Sequence, residues 1–266
     1  MSRPADWRQV PLAPRLLVEP TSGRRGAGLP ALTGTTDWRR RAVDRLGATI
    51  VGLSGAALLN QAPPAEWPST GLTDLGERLE RALPTMRLIG AVLPRQTGRA
   101  RLSLLGRMTG NLVVIKVGSP GRGIEREAEV LERLAADPVP GVATPEPLAH
   151  GTIDLPDERV AYLVTFRLGG RQRPAVGARL GTFERDLARR LADLPKPAGT
   201  PDHYVPIHGD VAPYNLRRTS RGLALFDWED TTWGPPGSDV TMYRRRCELL
   251  AAGAPIPPPS EMLATL

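Results

Sequence analysis

A single cysteine, Cys247, occurs among 266 residues, so the chain cannot form an internal disulfide. The longest apolar run, residues 48–59, is shorter than the roughly 20 residues of a membrane-spanning helix, and no apolar signal region precedes it. There is no basic run with interleaved aromatic residues and no zinc, RRM or KH signature. These absences argue against a disulfide scaffold, a membrane protein and a dedicated nucleic-acid binder, and they predict a cytoplasmic protein.

Lysine is also scarce, because only Lys116 and Lys196 are lysines among the 35 Lys and Arg residues. The net charge of +7 either favours anionic partners, such as nucleotides and phosphorylated metabolites, or reflects arginines spread over a solvated surface. The chain uses arginine at almost every basic position, but a lysine, Lys116, lies inside an apolar run. This exception indicates that a compact ammonium group is needed there. The alternative is chance placement on a strand edge.

The period of the apolar residues predicts an α+β protein. Strands with Gly-containing turns between them are predicted at 87–94, 99–106 and 111–118, as an antiparallel meander. Further strands are predicted at 15–20 and 158–170, and a hairpin joins NLRRT to LALFDWE. Amphipathic helices are predicted at 36–46, 73–83, 123–136, 182–194 and 237–252.

Polar residues that suit phosphoryl transfer are concentrated between residues 203 and 240. Asp210 is followed by Asn215 five residues later, and Asp227 ends the second strand of the predicted hairpin. In such sites one carboxylate lies beside the attacking hydroxyl, while an amide oxygen and a second carboxylate hold Mg²⁺. An isolated Asp and Asn in a loop would indicate only a turn.

Three motifs in order resemble those of the aminoglycoside phosphotransferase and choline kinase-like family. They are HGDVAPYN, LFDWED and GPPGSDV, and VVIKVG and REAEVLERL lie upstream at matching spacing. The resemblance covers about residues 87–245. It implies a bilobal protein kinase-like fold, with a small antiparallel-sheet N-lobe and a reduced helical C-lobe, that uses ATP and Mg²⁺.

The resemblance also implies a role for each matching residue. Asp210 would orient the attacking hydroxyl, and Asn215 and Asp227 would hold Mg²⁺. Lys116 would bind the α- and β-phosphates with Glu127 as its partner, and Glu129 is the alternative partner. Main-chain groups near Thr165–Leu168 would hold adenine. His208 and Asp239 would brace the catalytic loop.

The chain departs from the family pattern outside the nucleotide site. We predict an N-terminal α/β extension of unknown role over 1–85, an N-lobe over 86–169 and a short C-lobe over 170–266. Only 27 residues (266 − 239) follow Asp239, in a region where the family usually builds its acceptor pocket. The alternative function is therefore a catalytically weak kinase-like module that binds nucleotide or a partner. A protein kinase fits less well, because Asp-Trp-Glu replaces Asp-Phe-Gly and no activation segment separates it from Asp239.

Charge bears on the acceptor. A polycationic aminoglycoside requires an acidic pocket, but only Glu229 and Asp230 form an acidic pair near these motifs in a basic chain. They either line the acceptor side or cap the following turn. We therefore expect a hydroxyl acceptor such as a sugar, a nucleoside or another metabolite rather than an aminoglycoside.

Overall fold

The computed structural model describes residues 8–10, 13–18, 69–92, 101–121, 123–168, 172–220 and 222–265. The predicted helix at 36–46 and the apolar run at 48–59 lie outside these residues. The chain divides into two compact units, Met1–Gly121 with Leu148–Arg167, and Arg122–Pro147 with Leu168–Leu266. The domain boundaries predicted from the sequence stay predictions. No helix within the described ranges is both long and apolar enough to cross a membrane.

The elements follow in chain order. The strands are β1 Arg8–Val10, β2 Ala13–Val18, β3 Met86–Val92, β4 Arg101–Met108, β5 Asn111–Gly118, β6 Val142–Ala143, β7 Pro147–Asp154, β8 Arg159–Phe166, β9 Arg173–Pro174, β10 Val205–Ile207, β11 Leu216–Thr219, β12 Gly222–Leu225 and β13 Thr232–Gly234. The helices are α1 Ser69–Ala82, α2 Ile124–Ala136, α3 Phe183–Arg190, α4 Ser238–Ala251 and α5 Pro259–Leu263, and a 3₁₀ turn covers Trp228–Asp230.

The first unit is built on a seven-stranded sheet of order β1-β2-β3-β4-β5-β8-β7. The pairs from β1 through β8 are antiparallel, so the predicted meander is confirmed. Strand β5 alternates as a half-buried strand should, because Val113, Ile115 and Val117 are buried in one core cluster. Lys116 has the opposite parity, and it lies opposite Ser103 of β4 and Leu163 of β8.

Helix α1 packs against this core through Leu75 and Leu79, and Leu83, directly after the helix, lies in the same core. The spacing of these three leucines predicted the helix. It begins at Ser69 rather than at the predicted residue 73, so Thr73 lies within the helix and does not cap it. Serine is a residue type that favours helix starts, so a second start signal lay upstream of Thr73.

The second unit combines helices with two small sheets. One sheet has the order β6-β12-β11-β9, with β6 parallel to β12 and the remaining pairs antiparallel. The predicted hairpin is its β11–β12 pair. In α2 the predicted apolar stripe is buried, and Glu127 is buried beside it. The predicted α+β class is confirmed, and β1 and β2 show that part of the N-terminal extension joins the first sheet.

Candidate active site in the second unit

A tight loop follows β10 and carries the motif His208-Gly209-Asp210. Gly209 has φ 82°, and a Cβ at this position would collide with the backbone oxygen of Asp230. Only glycine therefore fits without strain or movement. The loop closes in a turn in which the backbone N–H of Asn215 donates to the carbonyl of Ala212 over 2.9 Å. This turn fixes the separation of Asp210 and Asn215.

The carboxylate of Asp239, in the first turn of α4, binds the backbone of this loop. Its Oδ2 accepts a 2.7 Å hydrogen bond from the N–H of His208, and its Oδ1 accepts a 3.0 Å bond from the N–H of Gly209. Asp239 is fully buried, and burial raises its pKa to about 7 although the two N–H donors oppose the shift. The contacts are those that a bracing role requires.

His208 connects the loop to the end of β12. Its Nδ1 accepts a 3.1 Å hydrogen bond from the backbone N–H of Asp210, so the other ring nitrogen of the neutral imidazole carries the proton. That nitrogen, Nε2, lies 3.0 Å from the carbonyl oxygen of Phe226 and donates to it. The ring also packs on Trp228, with centroids 4.5 Å apart. His208 therefore sets the distance between the Asp210 loop and the Asp227 turn.

Asp210 is held by the amide of Asn215. The Nδ2 of Asn215 donates to Asp210 Oδ2 over 2.7 Å and to the Asp210 carbonyl oxygen over 3.1 Å. Both residues are 7% exposed. Burial raises the pKa of Asp210 to about 7; Asp227 and Asp230 add to the rise, and Arg246 opposes it.

Asp227 begins the 3₁₀ turn in a left-handed conformation, φ 67° and ψ 64°, which costs a non-glycine residue energy. This bend brings three carboxylates together: oxygens of Glu127, Asp227 and Glu229 lie within 4.8 Å of one another. Glu127 also accepts a 3.4 Å bond from the backbone N–H of Trp228. Carboxylate oxygens in such a group suit a hard divalent cation.

The remaining predicted residues fall in different units. Lys116 on β5 and the buried Thr165 on β8 belong to the first unit, whereas Leu168 and Glu127 belong to the second. The pairing of Lys116 with Glu127 thus stays a prediction. Glu129 has its own partners on α2, since its two oxygens each lie 3.2 Å from an arginine, Arg126 or Arg133.

Sequence reasoning assigned Glu229 to the acceptor side or to the following turn, and it missed Arg246. The structure brings Glu229 together with Glu127 and Asp227, a role that its position two residues after Asp227 could have indicated. Arg246, on α4, is completely buried, and its Nη1 lies 2.6 Å from Asp210 Oδ1. Arg246 lies three and four residues after the buried Tyr243 and Met242 on the core-facing side of the helix. A lone arginine on an apolar stripe was the available signal.

A family model described as "Phosphotransferase enzyme family" matches residues 173–252, which contain this entire loop, hairpin and helix. The chain resembles the aminoglycoside phosphotransferase and choline kinase-like family. The match supports the predicted resemblance for residues 173–252. No curated protein matches the chain.

Solved structures of small-molecule kinases are similar to the chain at low identity. Amicoumacin kinase, in complex with AMP-PNP and Ca²⁺, has a TM-score of 0.48 at 12% identity and covers 65% of this chain and 70% of its own. A thermostable mutant of aminoglycoside phosphotransferase APH(4)-Ia, with ADP and hygromycin B, has a TM-score of 0.46 at 13% identity and covers 68% of this chain and 81% of its own. The microcompartment-associated aminopropanol kinase has a TM-score of 0.40 at 15% identity and covers 61% of this chain and 71% of its own.

Proposed function

We propose that this protein is an ATP- and Mg²⁺-dependent phosphotransferase that transfers the γ-phosphoryl group to a hydroxyl of a small molecule. The observation that carries the proposal is the pairing of Asp210 with Asn215, in a loop that Asp239 binds from α4. In the reaction, a bond forms between the acceptor oxygen and Pγ, the bond from Pγ to the β,γ-bridging oxygen breaks, and ADP leaves. The proton of the hydroxyl passes to Asp210.

The donor set of the second unit fits Mg²⁺. Asp227 supplies a carboxylate oxygen, and Asn215 has its Oδ1 available because its Nδ2 makes both hydrogen bonds to Asp210. Glu229 and Glu127 lie close enough to Asp227 to bind the ion directly or through water. When bound, Mg²⁺ neutralises charge on the phosphates of the nucleotide.

Asp210 orients the acceptor hydroxyl. Its carboxylate is nearly buried and held at Oδ2 by Asn215, which limits its rotation, and each carboxylate oxygen has two lone pairs, so capacity for the hydroxyl proton remains. For the nucleotide, we propose that Lys116 binds the α- and β-phosphates, that Glu127 or Glu129 is its partner, and that the main chain of Thr165–Leu168 holds adenine.

The acceptor we propose is a neutral or anionic hydroxyl compound, such as a sugar, a nucleoside or another metabolite. Of the acidic pair, Glu229 lies with Asp227 in the carboxylate group, which favours a metal-facing role over an acceptor-facing one. Of this pair, Asp230 alone then remains to bind the acceptor. One carboxylate is too little negative charge for a polycationic aminoglycoside. Preferential turnover of cationic aminoglycosides in an acceptor panel would contradict this assignment.

The test is the melting temperature with and without MgATP for the wild type, Asp227→Ala and the control Asp193→Ala, whose side chain is exposed. Binding at 100 times the Kd stabilises a protein by about 2.7 kcal/mol, so the wild type and the control should gain several degrees. Asp227→Ala should lose the gain. ATP consumption over an acceptor panel then identifies the substrate.

Absence of any shift at millimolar MgATP would favour the second candidate, a kinase-like interaction module without turnover. The observation in its favour is that the family match covers residues 173–252, which lie in the second unit alone. Full activity of Asp210→Ala would contradict the role of Asp210 while leaving nucleotide binding intact.

A further inference from the structure

The guanidinium of Arg246 contacts the loop of Asp210 from within the protein interior. Its Nη1 lies 2.6 Å from Asp210 Oδ1 and donates a 3.1 Å hydrogen bond to the carbonyl oxygen of Val211. The side chain of Arg246 is 0% exposed and that of Asp210 is 10% exposed. We propose that Arg246 is a positioning residue that fixes the carboxylate of Asp210 for phosphoryl transfer. This inference rests on the proposed function of Asp210.

The two carboxylate oxygens of Asp210 contact two different segments of the chain. Asn215, which belongs to the same loop, donates to Oδ2 over 2.7 Å, whereas Arg246 approaches Oδ1 from α4. The hydrogen bond from Asn215 restrains rotation of the carboxylate about its Cβ–Cγ bond, and the ion pair at Oδ1 adds a second restraint from a different element. Arg246 therefore supplies a constraint that comes from outside the loop.

Helix α4 contacts this loop through two of its residues, Asp239 and Arg246. Asp239 binds the backbone N–H groups of His208 and Gly209, and Arg246 contacts the next two residues of the loop. Seven residues separate Asp239 from Arg246 on the helix, about two turns or roughly 10 Å. One helix thus aligns both the main chain of the loop and the side chain of Asp210.

Stability alone does not account for a buried arginine here. Nε and Nη2 of Arg246 and Oδ1 of Asp210 are buried and have no hydrogen-bond partner among the residues that the structure describes, so the 2.6 Å contact is an ion pair without hydrogen-bond geometry. An ion pair with unsatisfied donors carries a large desolvation cost, and apolar residues of similar volume are often equally or more stabilising. The benefit of the contact is therefore expected in the placement of Asp210, where an error of about 1 Å can cost roughly 100-fold in rate.

The experiment compares Arg246→Met, which keeps an unbranched side chain but removes the guanidinium and its charge, with Arg246→Lys, which keeps the charge. Arg245→Met is the matched control, because Arg245 is the preceding residue of α4 and its side chain is 63% exposed. The probe is MgATP turnover with water as the acceptor, which requires no knowledge of the natural acceptor, and with any acceptor that the panel identifies. Thermal unfolding is recorded for every variant.

We expect Arg246→Met to lower kcat about 10- to 100-fold with the KM for MgATP within about twofold, and Arg246→Lys to recover part of the loss. Arg245→Met should match the wild type. In an Asp210→Ala background, Arg246→Met should cause no further loss, because Arg246 acts through Asp210.

Three results would overturn the inference: a kcat for Arg246→Met within twofold of Arg245→Met, an equal loss in the Asp210→Ala background, or a rise in KM that accounts for the loss. If Arg246→Met does not fold, the same criteria apply to Arg246→Lys against Arg245→Lys, since the shorter ammonium cannot reproduce the contacts of the guanidinium. A wild type without turnover, or an active Asp210→Ala, contradicts the proposed function instead.

Discussion

The carboxylate of Asp239 accepts a 2.7 Å hydrogen bond from the backbone N–H of His208, 31 residues earlier in the chain. Its second oxygen accepts the N–H of Gly209, so both oxygens bind main chain in the interior. An asparagine offers one acceptor oxygen and places N–H donors opposite the other N–H group. We expect Asp239→Asn to lower the free energy of unfolding by about 1–3 kcal/mol, measured by urea denaturation.

The control for that substitution is Asp202→Asn. The side chain of Asp202 is fully exposed, and its Oδ1 lies 3.9 Å from Nζ of Lys196 in a long ion pair. Its replacement should change the free energy of unfolding by less than about 0.5 kcal/mol. Equal effects of the two substitutions would contradict the bracing role of Asp239.

The same carboxyl gives a pH dependence of stability. Burial raises the pKa of Asp239 to about 7 from 3.8 in the unfolded chain, so the folded state binds the proton more tightly. The stabilisation from this proton is full below pH 4 and is lost as pH rises through about 7. The free energy of unfolding of the wild type should therefore fall more between pH 5 and pH 8 than that of Asp239→Asn. Parallel curves would show that Asp239 ionises normally.

Substitutions at Gly209 and Gly237 distinguish the backbone strain of a positive φ from the steric clash of an added Cβ. Both adopt φ above 80°, but a Cβ at Gly209 would strike the backbone of Asp230, whereas a Cβ at Gly237 has open space. Gly237→Ala should cost only the backbone strain, about 1–2 kcal/mol. Gly209→Ala should cost more and lower turnover, because the loop of Asp210 must move. Unfolding free energies and kcat of the two variants test this, and equal costs would contradict it.

Glu127 and Glu129 offer a matched pair on α2. Glu127 is buried beside Asp227 and Glu229, whereas Glu129 bonds two arginines at the surface. We expect Glu127→Gln to weaken MgATP-induced thermal stabilisation at least tenfold in apparent affinity, and Glu129→Gln to leave it unchanged. Glutamine still accepts the N–H of Trp228, so stability without divalent ions should hold within about 1 kcal/mol. Loss of affinity only in Glu129→Gln would assign the role to Glu129.

Local patterns predicted much of this architecture. The alternation in β5 and the apolar stripe of α2 are properties of single elements, and both are confirmed. The motif spacing around Asp210 predicted which residues lie together. The second unit brings Asp210, Asn215 and Asp239 into one hydrogen-bonded group. The assigned roles of these residues stay predictions.

What the sequence did not disclose depends on contacts between distant segments. Arg246 meets Asp210 across 36 residues (246 − 210), and nothing in the local pattern of α4 says which loop its buried face covers. The bend at Asp227, a non-glycine residue at positive φ, turns Glu229 toward α2, and such strain is imposed by the surrounding structure. The start of α1 was misjudged because two residue types that favour a start lie four positions apart.

The pairing of β2 with β3 has a consequence for shortened forms of the protein. Val18 and Leu16 lie opposite Gly90 and Val92, so the N-terminal strands cover an edge of the first sheet. A form that begins near residue 69 would leave the outer N–H and C=O groups of β3 open, and such an edge pairs readily with another chain. Removing the N-terminal segment should thus promote self-association even where the loop of Asp210 stays intact.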